Sequence, residues 1–215
     1  MTPSAAAAAS PWWPVALAVD VPAGVAVPAS LDGDDVVVWR TAKGELRIFA
    51  DRCPHRGMRL SFGFVRDETL VCLYHGWRWR ADGGCALIPA HPDLAPPPSL
   101  CVPSYPAAEA DGLIWMAATI PGRPPPAMTG CTPLASLVVD RPAAVIAAAI
   151  AAAWGAMDGV CARLAEGDVV LRMAIQPVHA ERTMLHVLLA EGDPLVAIGV
   201  AEAWRDRFEA AEPVP

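Results

Sequence analysis

The sequence predicts a mainly β N-terminal domain, a small antiparallel sandwich or barrel, followed by a small α+β domain. Three observations carry that expectation. Short apolar runs punctuated by turn formers fill residues 11–119. A Pro-rich break, "IPGRPPPAMTG", occupies 120–130 and suits a linker, because proline favours extended backbone and supplies no amide donor. A strand, helix, hairpin, helix order then follows over 131–215.

In chain order, "MTPSAAAAAS" has neither a positive start nor a long apolar run. Residues 1–10 are therefore expected to be a frayed tail rather than a signal peptide. "WWPVALAVDVP" opens the β series. "VVVWR" and "LRIFA" flank "TAKGE", a hairpin signal with Gly44 in the turn. "TLVCLYH" and "WRWRADGGCALIP" form another, turned by Gly83 and Gly84, and "GLIWMAA" closes the series. In the second part "SLVVD" reads as a strand. Asp140 is expected to cap the following Ala-rich helix, with Pro142 in its first turn. "DVVLRMAIQPV" and "RTMLHVLLAEG" read as two strands joined by "HAE", and "DPLVAIGVAEAWRDRFEAAE" as a final amphipathic helix.

A chain of 215 residues that is 54% hydrophobic and 18% charged can bury a substantial core and is not disordered throughout. Its net charge of −7, from 16 basic and 23 acidic residues, argues against a nucleic-acid groove and gives no reason to expect an anionic membrane surface. The most apolar late run, residues 143–157, is too short and Ala-rich to span a bilayer, which needs roughly 20 strongly apolar residues. A cytoplasmic protein is expected, its six cysteines reduced unless they bind metal.

The chemistry concentrates in "RCPHRGMRLSFGFVRDETLVCLYHGW", residues 52–77. Cys53 and His55 form a Cys-x-His pair, Cys72 and His75 a Cys-x-x-His pair, and sixteen residues separate them. Thiolate and imidazole ligands first suggest zinc. Structural zinc patterns group cysteines together and histidines together, whereas each cluster here lends one of each. That alternation suits a binuclear [2Fe–2S] centre with two cysteines on one iron and two histidines on the other. A lone zinc site, or unrelated core cysteines, is the plain alternative. Trp77 and Trp79 alternate with Arg78 and Arg80, which fits one buried and one wet face. Gly57 and Gly76 suit tight backbone turns. Arg56 either orients the neighbouring loop or meets a partner's carboxylate, with a solvated charge as the plain reading. Tyr74 either packs by the metal or belongs to ordinary core.

"CPHRG…CLYHGW", with the later "GGCALIPA", resembles the Rieske iron–sulfur motif. The likeness covers about residues 11–119 and is closest to the N-terminal Rieske domain of ring-hydroxylating and demethylating oxygenases. It implies that Cys53 and Cys72 hold the inner iron and His55 and His75 the outer one. Met58 and Leu73-Tyr74 stand near the places where the family's respiratory branch has a disulfide, and Trp77 where that branch has a sulfur-bonding hydroxyl. Both differences imply a lower potential, falling further at high pH.

The resemblance also implies a second, helix-grip-like domain with an iron held by two histidines and one carboxylate. The family's histidine spacing on a helix is missing. His91 lies in the third loop, "IPAHPDLAPPP", and His179 and His186 lie on or beside a hairpin. A truncated domain over 131–215 without a mononuclear iron is therefore expected. The functions implied are a carrier of single electrons from a reductase or ferredoxin to a partner oxygenase chain in an oligomer, a self-sufficient oxygenase using His179, His186 and Asp158 or Glu181, or a structural or redox-sensing subunit. Cys85, Cys101, Cys131 and Cys161 lack ligand spacing and are expected to be buried free thiols.

Overall fold

A computed structural model describes residues 12–155 and 157–210 of the chain. The proposed tail, residues 1–10, lies outside the described residues. Fifteen strands and two α-helices follow one another among the described residues. They are β1 (Trp13–Leu17), β2 (Ala26–Leu31), β3 (Asp34–Arg40), β4 (Leu46–Ala50), β5 (Phe64–Arg66), β6 (Thr69–Val71), β7 (Arg78–Arg80) and β8 (Cys85–Leu87). Next come β9 (Ser104–Tyr105), β10 (Ala107–Ala110), β11 (Leu113–Met116), β12 (Thr132–Val139) and α1 (Ala143–Trp154). The chain continues through β13 (Cys161–Glu166), β14 (Val169–His179), β15 (Arg182–Glu191) and α2 (Pro194–Ala210).

Every strand pairing is antiparallel, in four sheets ordered β1-β11-β10, β2-β3-β4-β9, β5-β6-β7-β8 and β12-β15-β14-β13. The expected hairpins form: β3 pairs with β4 through a turn with Gly44 at φ +89°, and β7 with β8 through Gly83 at φ +87°. Asp32 and Gly33, both at positive φ, join β2 to β3 in two residues, the backbone twist that tight hairpins favour.

The helical region departs locally from expectation. Gly155 at φ +90° ends α1 at Trp154, and residues 161–166 form β13, a strand not anticipated from the sequence. Asp140 does not cap α1. Pro142 occupies the cap position with no side-chain bond, and Asp140 accepts from Arg182 Nε at 2.6 Å. Asp193 does cap α2, accepting from the Leu195 and Val196 amides at 2.9 and 3.2 Å.

One face of the β12–β15 sheet is covered by both helices. Ile146 and Ile150 of α1, four residues apart, and Ala197, Ala201 and Phe208 of α2 pack on Leu171, Met173, Ile175, Leu185 and Val187. Trp154, Trp204 and Phe208 seal the layer edge-on, with ring centres 4.2 and 5.9 Å from Trp154. The sheet's other side joins the first part of the chain. Trp12, Leu17, Leu113 and Trp115 share a buried cluster with Val160, Cys161, Ala174 and Leu188. The Asp32 and Gly33 amides donate to Pro177 and Val178 carbonyls at 2.8 and 2.9 Å. The Pro-rich segment is fastened to this junction: Met128 is fully buried, and its amide donates to Asp111 at 2.6 Å.

His186 lies at the same junction. It is 2% exposed. Its Nε2 meets Gln176 Oε1 at 2.8 Å and its Nδ1 meets Ser136 Oγ at 2.9 Å. Gln176 Oε1 can only accept, so Nε2 carries the proton and Nδ1 accepts from the serine. Gln176 Nε2 in turn donates to the Ser30 carbonyl of β2 at 2.7 Å. No helix among the described residues is long and apolar enough to cross a membrane.

Candidate metal centre

Two loops with the same backbone pattern carry the four candidate ligands. In the first, the Cys53 amide donates to the Met58 carbonyl at 2.8 Å and the Gly57 amide returns to the Cys53 carbonyl at 2.8 Å. In the second, the Cys72 amide donates to the Trp77 carbonyl at 2.9 Å and the Gly76 amide to the Cys72 carbonyl at 3.0 Å. Each turn closes at a glycine four residues after its cysteine, Gly57 at φ +73° and Gly76 at φ +68°, where a side chain would be strained. Gly63 lets the loops approach: a Cβ there would lie 2.0 Å from the Val71 carbonyl, one residue before Cys72. The third loop leans on the second, with Pro89 Cγ 3.3 Å from where a Gly76 Cβ would sit.

The cysteines face inward and the histidines outward. Cys53 and Cys72 are each 2% exposed and belong to the core cluster with Trp39, Phe49, Leu60, Leu70 and Trp79. His55 is half-buried and His75 exposed. The imidazoles meet edge-on with centres 4.8 Å apart. Trp77 stacks on His55 at 4.4 Å with 11° between planes, and Tyr74 lies 3.8 Å from His75. Tyr74 is thus not ordinary core: it is 56% exposed at the loop tip. Trp79 is fully buried and Arg80 exposed, as the alternation implies.

Burial pushes the Cys53 thiol up to about 11; the His55 amide and Trp79 indole act against it, while Cys72 adds to the rise. Desolvation, then His75 and Arg56, lower the His55 pKa, favouring the neutral form a metal ligand needs. Loading a metal therefore has to displace a tightly held thiol proton, so uptake weakens toward acid.

The residues fit a bridged pair of irons. The fully buried Trp79 Nε1 has no hydrogen-bond partner among the described residues, yet lies beside Cys53, where a thiolate sulfur would satisfy it. Trp39 and Trp115 Nε1 are also unpartnered. The four groups stand as a thiol pair and an imidazole pair, the division two bridged irons would need.

The other candidates do not assemble. His179 is exposed at the end of β14, accepting from the Glu181 amide at 3.3 Å. His186 pairs with Ala174, five residues back along β14, or about 16 Å by strand rise. Asp158 sits in an isolated bridge with Cys161. His91 is exposed. Of the remaining cysteines, Cys85 and Cys161 are buried, Cys131 is half-buried, and Cys101 is exposed, against expectation, beside the first loop. Sequence reading did not single out Gln176 or Ser136, because nothing in their own segments signals a bond formed across the sheet.

A family model for the Rieske [2Fe-2S] domain matches residues 11–106. Oxidoreductase NdmD of Pseudomonas putida is 39% identical over 115 residues, 53% of this chain and 19% of that one. The 4beta-methylsterol monooxygenase of Methylococcus capsulatus is 40% identical over 109 residues, 49% of this chain and 28% of that one. The chain thus matches only 19% and 28% of the length of these relatives. The solved structure of NdmA from Pseudomonas putida CBB5 superposes over 95% of this chain and 82% of its own, with a TM-score of 0.72 at 19% identity, so the fold is shared beyond the matched domain. Residues 11–106 are accordingly a Rieske [2Fe–2S] domain.

Proposed function

We propose that this chain carries single electrons from a reductase or ferredoxin to a catalytic oxygenase chain. Cys53 and Cys72 would hold the inner iron of its cluster, and His55 and His75 the outer one. The observation that carries the reading is the pair of equivalent loops, which bury two thiols and turn two imidazoles outward. When bound, the cluster supplies a one-electron couple. The chain's own residues do the rest. The buried core keeps water from the cysteines, Trp77 fixes the plane of His55, and the exposed His75 brings the redox edge to the surface.

In this reading the chain divides into a Rieske domain over 11–119, a Pro-rich connection over 120–130 and a shortened oxygenase-like domain over 131–215. The packed face beneath α1 and α2, closed by Trp154, Trp204 and Phe208, supports a domain whose substrate pocket has been replaced by core. The oxygenase iron would then come from a partner chain in a mixed oligomer, and a cytoplasmic setting would keep the other thiols reduced. Iron analysis beside EPR of the reduced holoprotein tests this. About two irons per chain with a rhombic signal from mixed Cys/His ligation are expected. A colourless zinc protein, or a third iron with O₂-dependent turnover, overturns it.

Trp79 gives a second measurement. Its N–H would stabilise negative charge on the Cys53 sulfur, and so would favour the reduced form of a cluster held there. Trp79→Phe keeps the ring and removes the donor. The potential should fall by about 60 mV, the equivalent of about 1.4 kcal/mol for one electron, with iron content unchanged. A titration with no shift would remove Trp79 from this role.

A further inference from the structure

A cavity of about 420 Å³ opens between the two halves of the chain, away from both metal-site loops. Small-molecule sites span about 300–1,000 Å³ and recur where domains meet. One wall comes from β1 and β2 through Val15, Ala16 and Val27, the other from β12, β14 and β15 through Val138, Val178 and Met184. On β12 and β15, Ser136 faces His186 and Val138 faces Met184 across the ladder. These four alternate with Leu137, Leu185 and Val187, which pack beneath the helices, so the cavity lies on the opposite face of the sheet from α1 and α2. The walls are tied together at one end, where the Asp32 and Gly33 amides donate to the Pro177 and Val178 carbonyls.

The floor is polar but carries no paired charge. It is the relay of Ser136, His186 and Gln176, the last two being 2% and 3% exposed. The charged lining residues, Asp20 and Arg182, are exposed and form the rim, and Arg182 already pairs with Asp140. The relay uses both ring nitrogens of His186 and the Gln176 oxygen. One donor is left over. An amide nitrogen carries two hydrogens. The Ser30 carbonyl accepts one from Gln176 Nε2 at 2.7 Å, and no second acceptor meets that nitrogen among the described residues. A buried N–H without an acceptor is costly, and Gln176 borders the cavity, so the cavity is where an acceptor has room.

We propose that this cavity binds a small neutral molecule, an apolar ring bearing a carbonyl, whose oxygen accepts from Gln176 Nε2 while the ring lies between the valine-lined walls. A hydrocarbon of the same shape would leave the N–H unpaired. A carboxylate would be buried against a floor with no cation to neutralise it. The inference is independent of the electron-transfer reading, since no ligand candidate of the two loops lines the cavity. The molecule touches strands from both halves of the chain, so binding stabilises the junction and, with it, the folded state.

The test is ligand-observed NMR titration of the full-length holoprotein with acetophenone, beside ethylbenzene, which lacks the acceptor, and benzoate, which carries a charge. Acetophenone should bind saturably, with a dissociation constant at least about fivefold below that of either relative, as one hydrogen bond allows. Val138→Phe should abolish the binding by filling the space; Val138 is 41% exposed, so a larger side chain is tolerated there. Absence of saturable acetophenone binding overturns the proposal, as does unchanged binding by Val138→Phe. Equal affinity for ethylbenzene overturns the carbonyl assignment, and tighter binding of benzoate moves the site to the Arg182 rim. If Val138→Phe does not fold, the side-chain amide signal of Gln176 in the 15N-labelled unaltered protein decides. It should shift with acetophenone and not with ethylbenzene, and a signal that stays in place overturns the assignment.

Discussion

Cys72→Ser should yield a colourless chain with nearly all iron and acid-labile sulfide gone, whereas Cys101→Ser should keep its iron, colour and EPR signal. Cys72 is 2% exposed, packed with Cys53 among Leu60, Leu70 and Trp79, at the start of a turn closed by Gly76. A serine there offers a hard oxygen that holds its proton, in a site built for a soft thiolate. One iron would lose half of its protein ligands with no water-accessible substitute. Cys101 is exposed beside the first loop, and its thiol is not needed by the pairing of two thiols with two imidazoles. Iron and sulfide assays on the two variants decide between them. Equal loss in both would mean that the cysteines had been assigned wrongly. Because a preformed site couples binding to folding, Cys72→Ser should also melt at lower temperature than the loaded chain.

Acidification should destabilise the junction between the two halves through His186. Burial lowers its pKa from 6.5 to about 4. The folded state therefore keeps the ring neutral where the unfolded chain would already bind a proton. Stability from this group is fully present above pH 6.5 and is lost as pH falls toward 4, where the loss levels off near about 3 kcal/mol. Protonation would also give Nδ1 a hydrogen that faces the Ser136 donor, breaking the relay from Ser136 through His186 and Gln176 to the Ser30 carbonyl. His186→Leu should be less stable at pH 7 by about 1–3 kcal/mol, since it orphans the buried Gln176 oxygen. Its urea midpoint should nonetheless vary less between pH 6.5 and 4 than that of the unaltered chain. The two metal-site loops are the same in both proteins, so the difference between the curves isolates His186. Parallel curves would place the titration elsewhere.

The sequence by itself determined the two candidate metal-site loops. Cys53, His55, Gly57 and Cys72, His75, Gly76 lie within two short stretches, and the turn that presents each candidate ligand pair is closed by bonds between residues at most five apart. Local chemistry of that kind is legible because the residues that need each other are adjacent. The β3–β4 and β7–β8 hairpins were legible for the same reason, their turns being written in Gly44 and Gly83.

Only the tertiary structure decided the rest. Whether Asp140 caps α1 or pairs with Arg182 turned on a neighbour far along the chain, and whether Tyr74 is core or surface was decided only once the loops had packed. His186 was readable as a hairpin residue, but its partners come from β12 and β14, and Gln176 reaches on to β2, 146 residues away. Short apolar runs and lone polar residues carry no local mark of their partner. Their state is fixed by which buried donors and acceptors must be satisfied once the sheets have packed, and that exists only in three dimensions.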